Sequence, residues 1–328
     1  MGLKIRIIIS TFTTHNIIPL NSMNIKAWLS AFRLRTLPLA FSSIITGSAI
    51  ACYHCSFNGL IFTLALVTTL FLQVLSNLAN DYGDSEHGAD NDERIGPERT
   101  VQSGAISKRQ MKTAMIIFSI LALCSGIPLI IEGTKAINLK WFLIFLVLGI
   151  ASIIAAIKYT AGKNPYGYKG LGDLFVFIFF GLVGVIGTLI LQLQYINRFL
   201  LIESLFPAIA IGCFSAAVLN MNNMRDHVND KNSGKITLAV RLGKKGSKIY
   251  HSLLILTGMA SMYYFGFVSH FSGITFSILS IPNILFIVHL IKVWNVTNEK
   301  DYDPELKKIA LTTFLLSIVL MVIMYISF

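Results

Sequence analysis

The sequence predicts an all-helical membrane protein of nine spans, and three observations carry that prediction. Mean hydropathy is +0.69 and only 13% of the 328 residues are charged, against about 25% in an ordinary soluble domain. Nine apolar runs, roughly 37–54, 59–80, 112–131, 141–158, 174–193, 199–221, 250–268, 272–294 and 309–327, approach the ~20 residues that a helix needs to cross a bilayer. With those runs as spans, only Lys135, Lys140 and Arg198 of the 27 Lys and Arg residues fall on one side. The positive-inside rule then places the N-terminus in the cytoplasm and the C-terminus outside.

The net charge of +11 is therefore a topology signal. It follows the cytoplasmic loops, so nucleic acid is not expected as a partner. Cys52, Cys55, Cys124 and Cys213 lie in or beside spans. Cys52-x-x-Cys55 has no second pair at zinc spacing, so all four read as small apolar residues.

In chain order, residues 1–22 are weakly apolar, without a clear small-residue cleavage site. Met23 offers a simpler start, so 1–22 is expected to be a dispensable extension and 23–328 a single membrane domain. Residues 24–36 suit an interfacial helix: Trp28, Leu29, Phe32 and Leu34 supply apolar area, while Lys26, Arg33 and Arg35 reach headgroups, and one of the two arginines could instead face a diphosphate at the rim. Spans 1 and 2 follow, and span 2 runs into the most acidic stretch of the chain.

That stretch, Asn77 to Arg99, holds seven of the sixteen acidic residues. Asn77, Asn80, Asp81 and Asp84 are spaced three or four apart, so a continuing helix presents them together. Two carboxylates and two amides suit a hard cation such as Mg²⁺, which takes oxygen ligands and keeps places for substrate phosphates. Asp90 follows Gly88, where the chain can turn back. Arg94 and Arg99 suit phosphate through their planar forks. A solvated acidic loop with charge-balancing arginines is the plain alternative.

Spans 3 and 4 look structural. The loop after span 4, TAGKNPYGYKGLGD, is rich in glycine and reads as a built loop over the membrane face. Lys158 and Tyr159 at its start could pair and stack with an aromatic acid; Lys158 also suits a topology anchor. Span 6 ends in a second polar cluster, with Asn222, Asp226 and Asp230 at successive four-residue steps. It matches the first cluster at an interval of four spans. Spans 1–4 and 5–8 therefore read as a repeat, with span 9 added. An even interval puts both clusters on one side, where they form a two-sided clamp for a metal and diphosphate. Lys235 and Arg241 follow as diphosphate contacts. His87 and His227 are not expected to bind metal. His289 reads as a satisfied interior group, and Asp301, Asp303 and Glu305 as solvated.

NDYGD through Asp90, then RIGPER, and later NNMRDHVNDKNSGKITLAVRLG, resemble the UbiA superfamily of membrane prenyltransferases. Within it they are most similar to the 1,4-dihydroxy-2-naphthoate polyprenyltransferase branch. The similarity covers nearly everything from Met23 onward. The broader superfamily carries an Asp four residues after the middle one; here that position is Gly88, and Asp90 stands at six, a feature of the naphthoate branch.

The resemblance implies a helical bundle with a central cavity open to the cytoplasm and laterally to membrane lipid. It implies Mg²⁺ held by Asp84, Asp90, Asp226 and Asp230, with Asn77, Asn80 and Asp81 assisting and Asn222 among the substrate-binding residues. The substrates would be a polyprenyl diphosphate and 1,4-dihydroxy-2-naphthoate, with Arg94, Arg99, Lys235 and Arg241 on the diphosphate. Carbon dioxide and diphosphate would leave, on the route to menaquinone. Asp81, Asp84, Asp226, Lys158 and Tyr159 would carry the chemistry. A different aromatic acceptor, such as 4-hydroxybenzoate or homogentisate, is the nearest rival. A CDP-alcohol phosphotransferase would keep its aspartates in one run. A divalent-cation transporter would place acids near the bilayer midplane, where this chain has almost none.

Overall fold

The computed structural model describes residues 24–89, 95–96 and 99–327. Among these, nine helices are long and apolar enough to cross a membrane. The chain is an integral membrane protein, built from the one open-ended element that satisfies its own backbone in lipid. The extension 1–22 lies outside the described residues.

The interfacial helix is shorter than its sequence suggests. It covers Ile25–Phe32, is capped by the Asn24 side chain, and stops where Arg33 turns left-handed at φ 47°. Span 1, Leu37–Tyr53, starts with Pro in its first turn, where no amide hydrogen is needed. Span 2, Gly59–Glu86, begins at Asn58, whose side chain accepts from the amides of Leu60 and Ile61. It continues past the apolar run, so Asn77 to Asp84 are helical. Span 3, Lys108–Thr134, opens with a capping box between Ser107 and Gln110. Span 4 is Leu139–Lys158.

Span 5, Gly172–Leu193, is π-helical over Phe177–Ile186. Such widened turns commonly mark functional sites. Here glycines let them press on their neighbours: a Cβ at Gly181 would lie 2.5 Å from the Ala208 carbonyl oxygen, and one at Gly184 would lie 2.7 Å from the Ser43 Cβ. Span 6, Arg198–Arg225, is followed by a short helix, His227–Asn232. Span 7, Leu238–Val268, starts a dozen residues before its apolar run and breaks at Gly243, φ 70°. Spans 8 and 9 are Gly273–Asn295 and Tyr302–Ile326.

Span 6 is the hub, packing on spans 5, 7 and 9, while span 1 packs against span 9 and span 2 against span 3. The main core joins spans 1, 5, 6, 7, 8 and 9 and includes Phe214 stacked on Phe286 at 4.2 Å. A smaller core seats Ala27 and Ala31 of the interfacial helix on Leu75, Leu78 and Met111. Exposed Ile116, Ile131, Val147, Phe199 and Phe267 face outward, as lipid requires. All four cysteines are free thiols. His289 sits inside the bundle, as expected, between His251 at 2.9 Å and Glu305 at 2.9 Å. Glu305 is buried, so it is not the solvated acid that the sequence suggested, and Asp303, still half exposed, binds Arg225 at 2.5 Å.

Candidate active site

Both acid clusters lie at the same end of the bundle, on the last turns of span 2 and just beyond span 6. Their side chains do not form one undivided set. Asn77 donates to the carbonyl of Phe32 at 2.9 Å and to the Thr36 hydroxyl at 3.1 Å, so it ties the interfacial segment to span 2. Asn80 accepts from Thr160 at 3.2 Å. Asp81, 1% exposed, accepts from the Thr100 hydroxyl at 2.6 Å and its amide at 3.2 Å through one oxygen. Its other oxygen is buried with no hydrogen-bond partner among the described residues.

Asp84 is the junction. Its Oδ1 accepts from the Tyr168 hydroxyl at 2.9 Å and from Lys235 Nζ at 3.4 Å, and its Oδ2 faces Arg99 at 3.6 Å. Lys235 also lies 3.8 Å from Asp230 and 5.3 Å from the centre of the Tyr168 ring. One ammonium is therefore shared by a carboxylate from each cluster. The turn at Gly234, φ 74°, places it. The Lys235 amide donates to the Asp230 carbonyl at 2.8 Å, and the next amide donates to the Tyr168 carbonyl at 3.1 Å.

Asp226 is held differently. Arg225 forks onto it, Nε to Oδ1 at 2.9 Å and Nη2 to Oδ2 at 2.8 Å. The same Nη2 donates to Asn222 at 2.8 Å. Among the described residues no three acidic, His or Cys side chains converge on one cation position. The donor set nevertheless fits Mg²⁺. It is all oxygen and drawn from two helices, and Lys235 already marks a point where opposite carboxylates share a positive charge. Asp90 and Arg94, expected to bind metal and diphosphate, lie outside the described residues.

The loop between spans 4 and 5 covers this end of span 2. Gly83 permits it: a Cβ there would sit 2.5 Å from the Thr160 carbonyl carbon. Lys158 is exposed and lines neither cavity described below. Arg241 is exposed and donates to the Lys169 carbonyl at 2.8 Å, so it braces the loop. Tyr159 and Tyr166 meet edge-on at 5.4 Å, and Tyr166 stacks on Phe175 at 4.0 Å. Burial, with Asp173, Asp84 and Asp230 adding, holds the Tyr159 hydroxyl well above the ordinary phenol range. Burial does the same to Tyr166, helped by Tyr159. Both rings are neutral.

Two cavities meet the site. An apolar one of about 350 Å³ runs among spans 1 to 5 and ends at Asn77, Asn80, Tyr159 and Tyr166. A second, of about 430 Å³, is lined by Arg33, Arg35, Arg99, Arg225, Asp81 and Asn222, among others. Of its four arginines, Arg99 is paired with Asp84 and Arg225 with Asp226 and Asp303. Tyr168, Thr100 and Arg225 are the site residues that sequence reading passed over. Arg225 carried one available signal, its position inside the second cluster, directly before Asp226.

The UbiA prenyltransferase family model matches residues 40–318. The chain is 42% identical over 303 residues to the 1,4-dihydroxy-2-naphthoate octaprenyltransferase of Haemophilus influenzae, covering 90% of this chain and 94% of that one. It is 45% identical over 244 residues to the Escherichia coli enzyme of the same name, covering 74% and 77%. In fold it is similar to a UbiA homolog from Aeropyrum pernix, with TM-score 0.66, 14% identity, and 90% and 98% of the two chains covered. A UbiA homolog from Archaeoglobus fulgidus, solved bound to DMAPP and Mg²⁺, superimposes with TM-score 0.53 at 18% identity over 88% and 98%.

Proposed function

Because the chain belongs to the UbiA prenyltransferase family, we propose that it transfers a polyprenyl group from polyprenyl diphosphate to 1,4-dihydroxy-2-naphthoate. Carbon dioxide and diphosphate are lost, and the product enters menaquinone synthesis. The observation that carries this reading is the junction at Asp84. There, carboxylates and cations from two helix ends meet, one helical turn beyond Asn80, which lines the apolar cavity. The acceptor rests on the 42% and 45% identical relatives.

On this reading Asp84, Asp90, Asp226 and Asp230 hold Mg²⁺. Bound there, the metal supplies positive charge to the diphosphate oxygens. Asp81 offers its second oxygen to the same region. Asn77, Asn80 and Asn222 keep the helix ends in place through Phe32, Thr160 and Arg225. Lys235, Arg99 and Arg94 take up negative charge as the allylic C–O bond breaks and its electron pair leaves with diphosphate. The apolar cavity houses the prenyl tail and keeps water from the allylic cation. Tyr159 and Tyr166, held neutral, offer ring faces to that cation. The naphthoate ring attacks through the carbon bearing its carboxylate, and carbon dioxide departs as aromaticity returns.

The second cavity, lined by Arg33, Arg35 and Arg99, offers anion contacts to the charged substrates. The same reading puts the site at the cytoplasmic face of the inner membrane, with the N-terminus inside and the C-terminus outside. It keeps spans 1–4 and 5–8 as a repeat whose halves each contribute one cluster.

The test uses membranes containing the protein, Mg²⁺ and a labelled polyprenyl diphosphate. 1,4-Dihydroxy-2-naphthoate and 4-hydroxybenzoate are offered in parallel, with an EDTA control. Prenylated product and carbon dioxide from the naphthoate alone, lost with EDTA, are expected. Product from the benzoate alone would move the chain to another quinone pathway.

A further inference from the structure

Arg225 is 2% exposed and binds two carboxylates from different elements. Its Nε and Nη2 fork onto Asp226, and its Nη1 donates to Asp303 at 2.5 Å. Asp303 stands in the first turn of span 9 and is 45% exposed. Its neighbour Tyr302 is buried in the main core, so the carboxylate is fixed by a packed helix start.

A guanidinium carries one positive charge and keeps it at any physiological pH. If Asp226 were its only partner, the fork would spend the charge of Asp226 on Arg225, leaving a poor metal ligand. Asp303 changes that balance. Two carboxylates share one cation, the triad carries a net negative charge, and Asp226 retains anionic character. Because Asp303 is half in solvent, it supplies this counter-charge with little desolvation cost.

We propose that Asp303 is a positioning residue for the cation site: through Arg225 it sets how strongly Asp226 binds a divalent metal. This rests on the reading of Asp226 as a ligand given above. Outer partners of metal-binding carboxylates are worth about 10- to 100-fold in metal affinity. Asp303 acts through one intermediary and is half exposed, so the low end applies, about tenfold.

Asp303→Asn keeps the hydrogen-bond acceptor and removes the charge, and Asp303→Glu keeps the charge. The purified full-length protein in lipid nanodiscs is titrated with Mn²⁺ alone, followed by electron paramagnetic resonance. The Mg²⁺ dependence of prenyl transfer is measured alongside, with Asp226→Asn as reference. Asp303→Asn should raise half-saturation for both metals about tenfold, with kcat at saturating Mg²⁺ retained, and Asp303→Glu should restore the wild-type value. Wild-type half-saturation in Asp303→Asn overturns the inference, and so does a fall in thermal stability and kcat with metal affinity unchanged, which marks a plain staple between spans 6 and 9. If wild type shows no Mn²⁺ site, or Asp226→Asn binds Mn²⁺ as wild type does, the ligand reading itself fails.

Discussion

Tyr168→Phe removes one hydroxyl and nothing else, and the structure states what that hydroxyl does. It donates to Asp84 Oδ1 at 2.9 Å, while the ring lies 5.3 Å from Lys235. A hydrogen bond to a charged acceptor contributes about 1.5–3 kcal/mol. Asp84 keeps Lys235 and Arg99 as partners, so the lower figure applies. About 1.4 kcal/mol is a factor of ten, and kcat/KM for the polyprenyl diphosphate should fall about tenfold. Tyr168→Leu also removes the ring face beneath Lys235, worth roughly another 1 kcal/mol, and should approach a hundredfold loss. The assay is steady-state prenyl transfer with donor varied at fixed Mg²⁺, with thermal unfolding measured in the same detergent. Wild-type kcat/KM in both variants would refute the role of Tyr168 in orienting Asp84. Equal losses in the two variants would refute the ring contribution.

Asp84→Asn and Asp226→Asn should each lower turnover by about a hundred- to a thousandfold, on the scale of removing a preorganised transition-state contact, with expression and helicity unchanged; circular dichroism and product assay check both. Gly83→Ala forces a Cβ against the Thr160 carbonyl carbon, 2.5 Å away. It should cost about 1–3 kcal/mol and lower the melting temperature, whereas Gly59→Ala, with nothing within 4 Å, should not. Gly149 lines the apolar cavity. Gly149→Phe should therefore lower kcat/KM for octaprenyl diphosphate more than for geranyl diphosphate, and equal losses for both donors would argue against the tail lying there.

The nine spans were legible because lipid demands about twenty apolar residues wherever a helix crosses it. Helix ends were less so, because hydropathy stops where the bilayer does and the helix does not. The first turns of span 7 carry Arg241, Lys244 and Lys245, and read as loop until the structure shows them helical. Span 2 was the converse case: its polar spacing of three and four was itself a helical signal, and its helix runs to Glu86. Within the site, residue type announced the carboxylates, but partners were hidden. Asn77 looks like a ligand by spacing, yet its amide nitrogen donates to Phe32 and Thr36, 45 and 41 residues away, and its oxygen accepts from Gln73 at 3.5 Å. Tyr168 reaches the site from the loop between spans 4 and 5 and Asp303 from the first turn of span 9, and no local pattern encodes such a meeting.

Lys235 shows why the cations matter before any substrate binds. Asp84 and Asp230 are both buried, and an uncompensated buried charge costs several kcal/mol. Lys235 stands 3.4 and 3.8 Å from them. On the proposed reading, substrate binding exchanges partners: the carboxylates trade a protein cation for a metal, and the cations trade a carboxylate for phosphate. The balance of charge is kept at both stages. Two neutral substitutions then separate. Asp84→Asn leaves Lys235 with Asp230 and chiefly costs turnover. Lys235→Met leaves Asp84 facing Asp230 across an apolar stem, with Arg99 as the nearer remaining cation. It should lose turnover and also melt earlier, by an amount that shrinks when Mg²⁺ is added, since the metal restores the missing charge. A Lys235→Met protein as stable as wild type without Mg²⁺ would show that the two clusters do not depend on Lys235 for their charge balance.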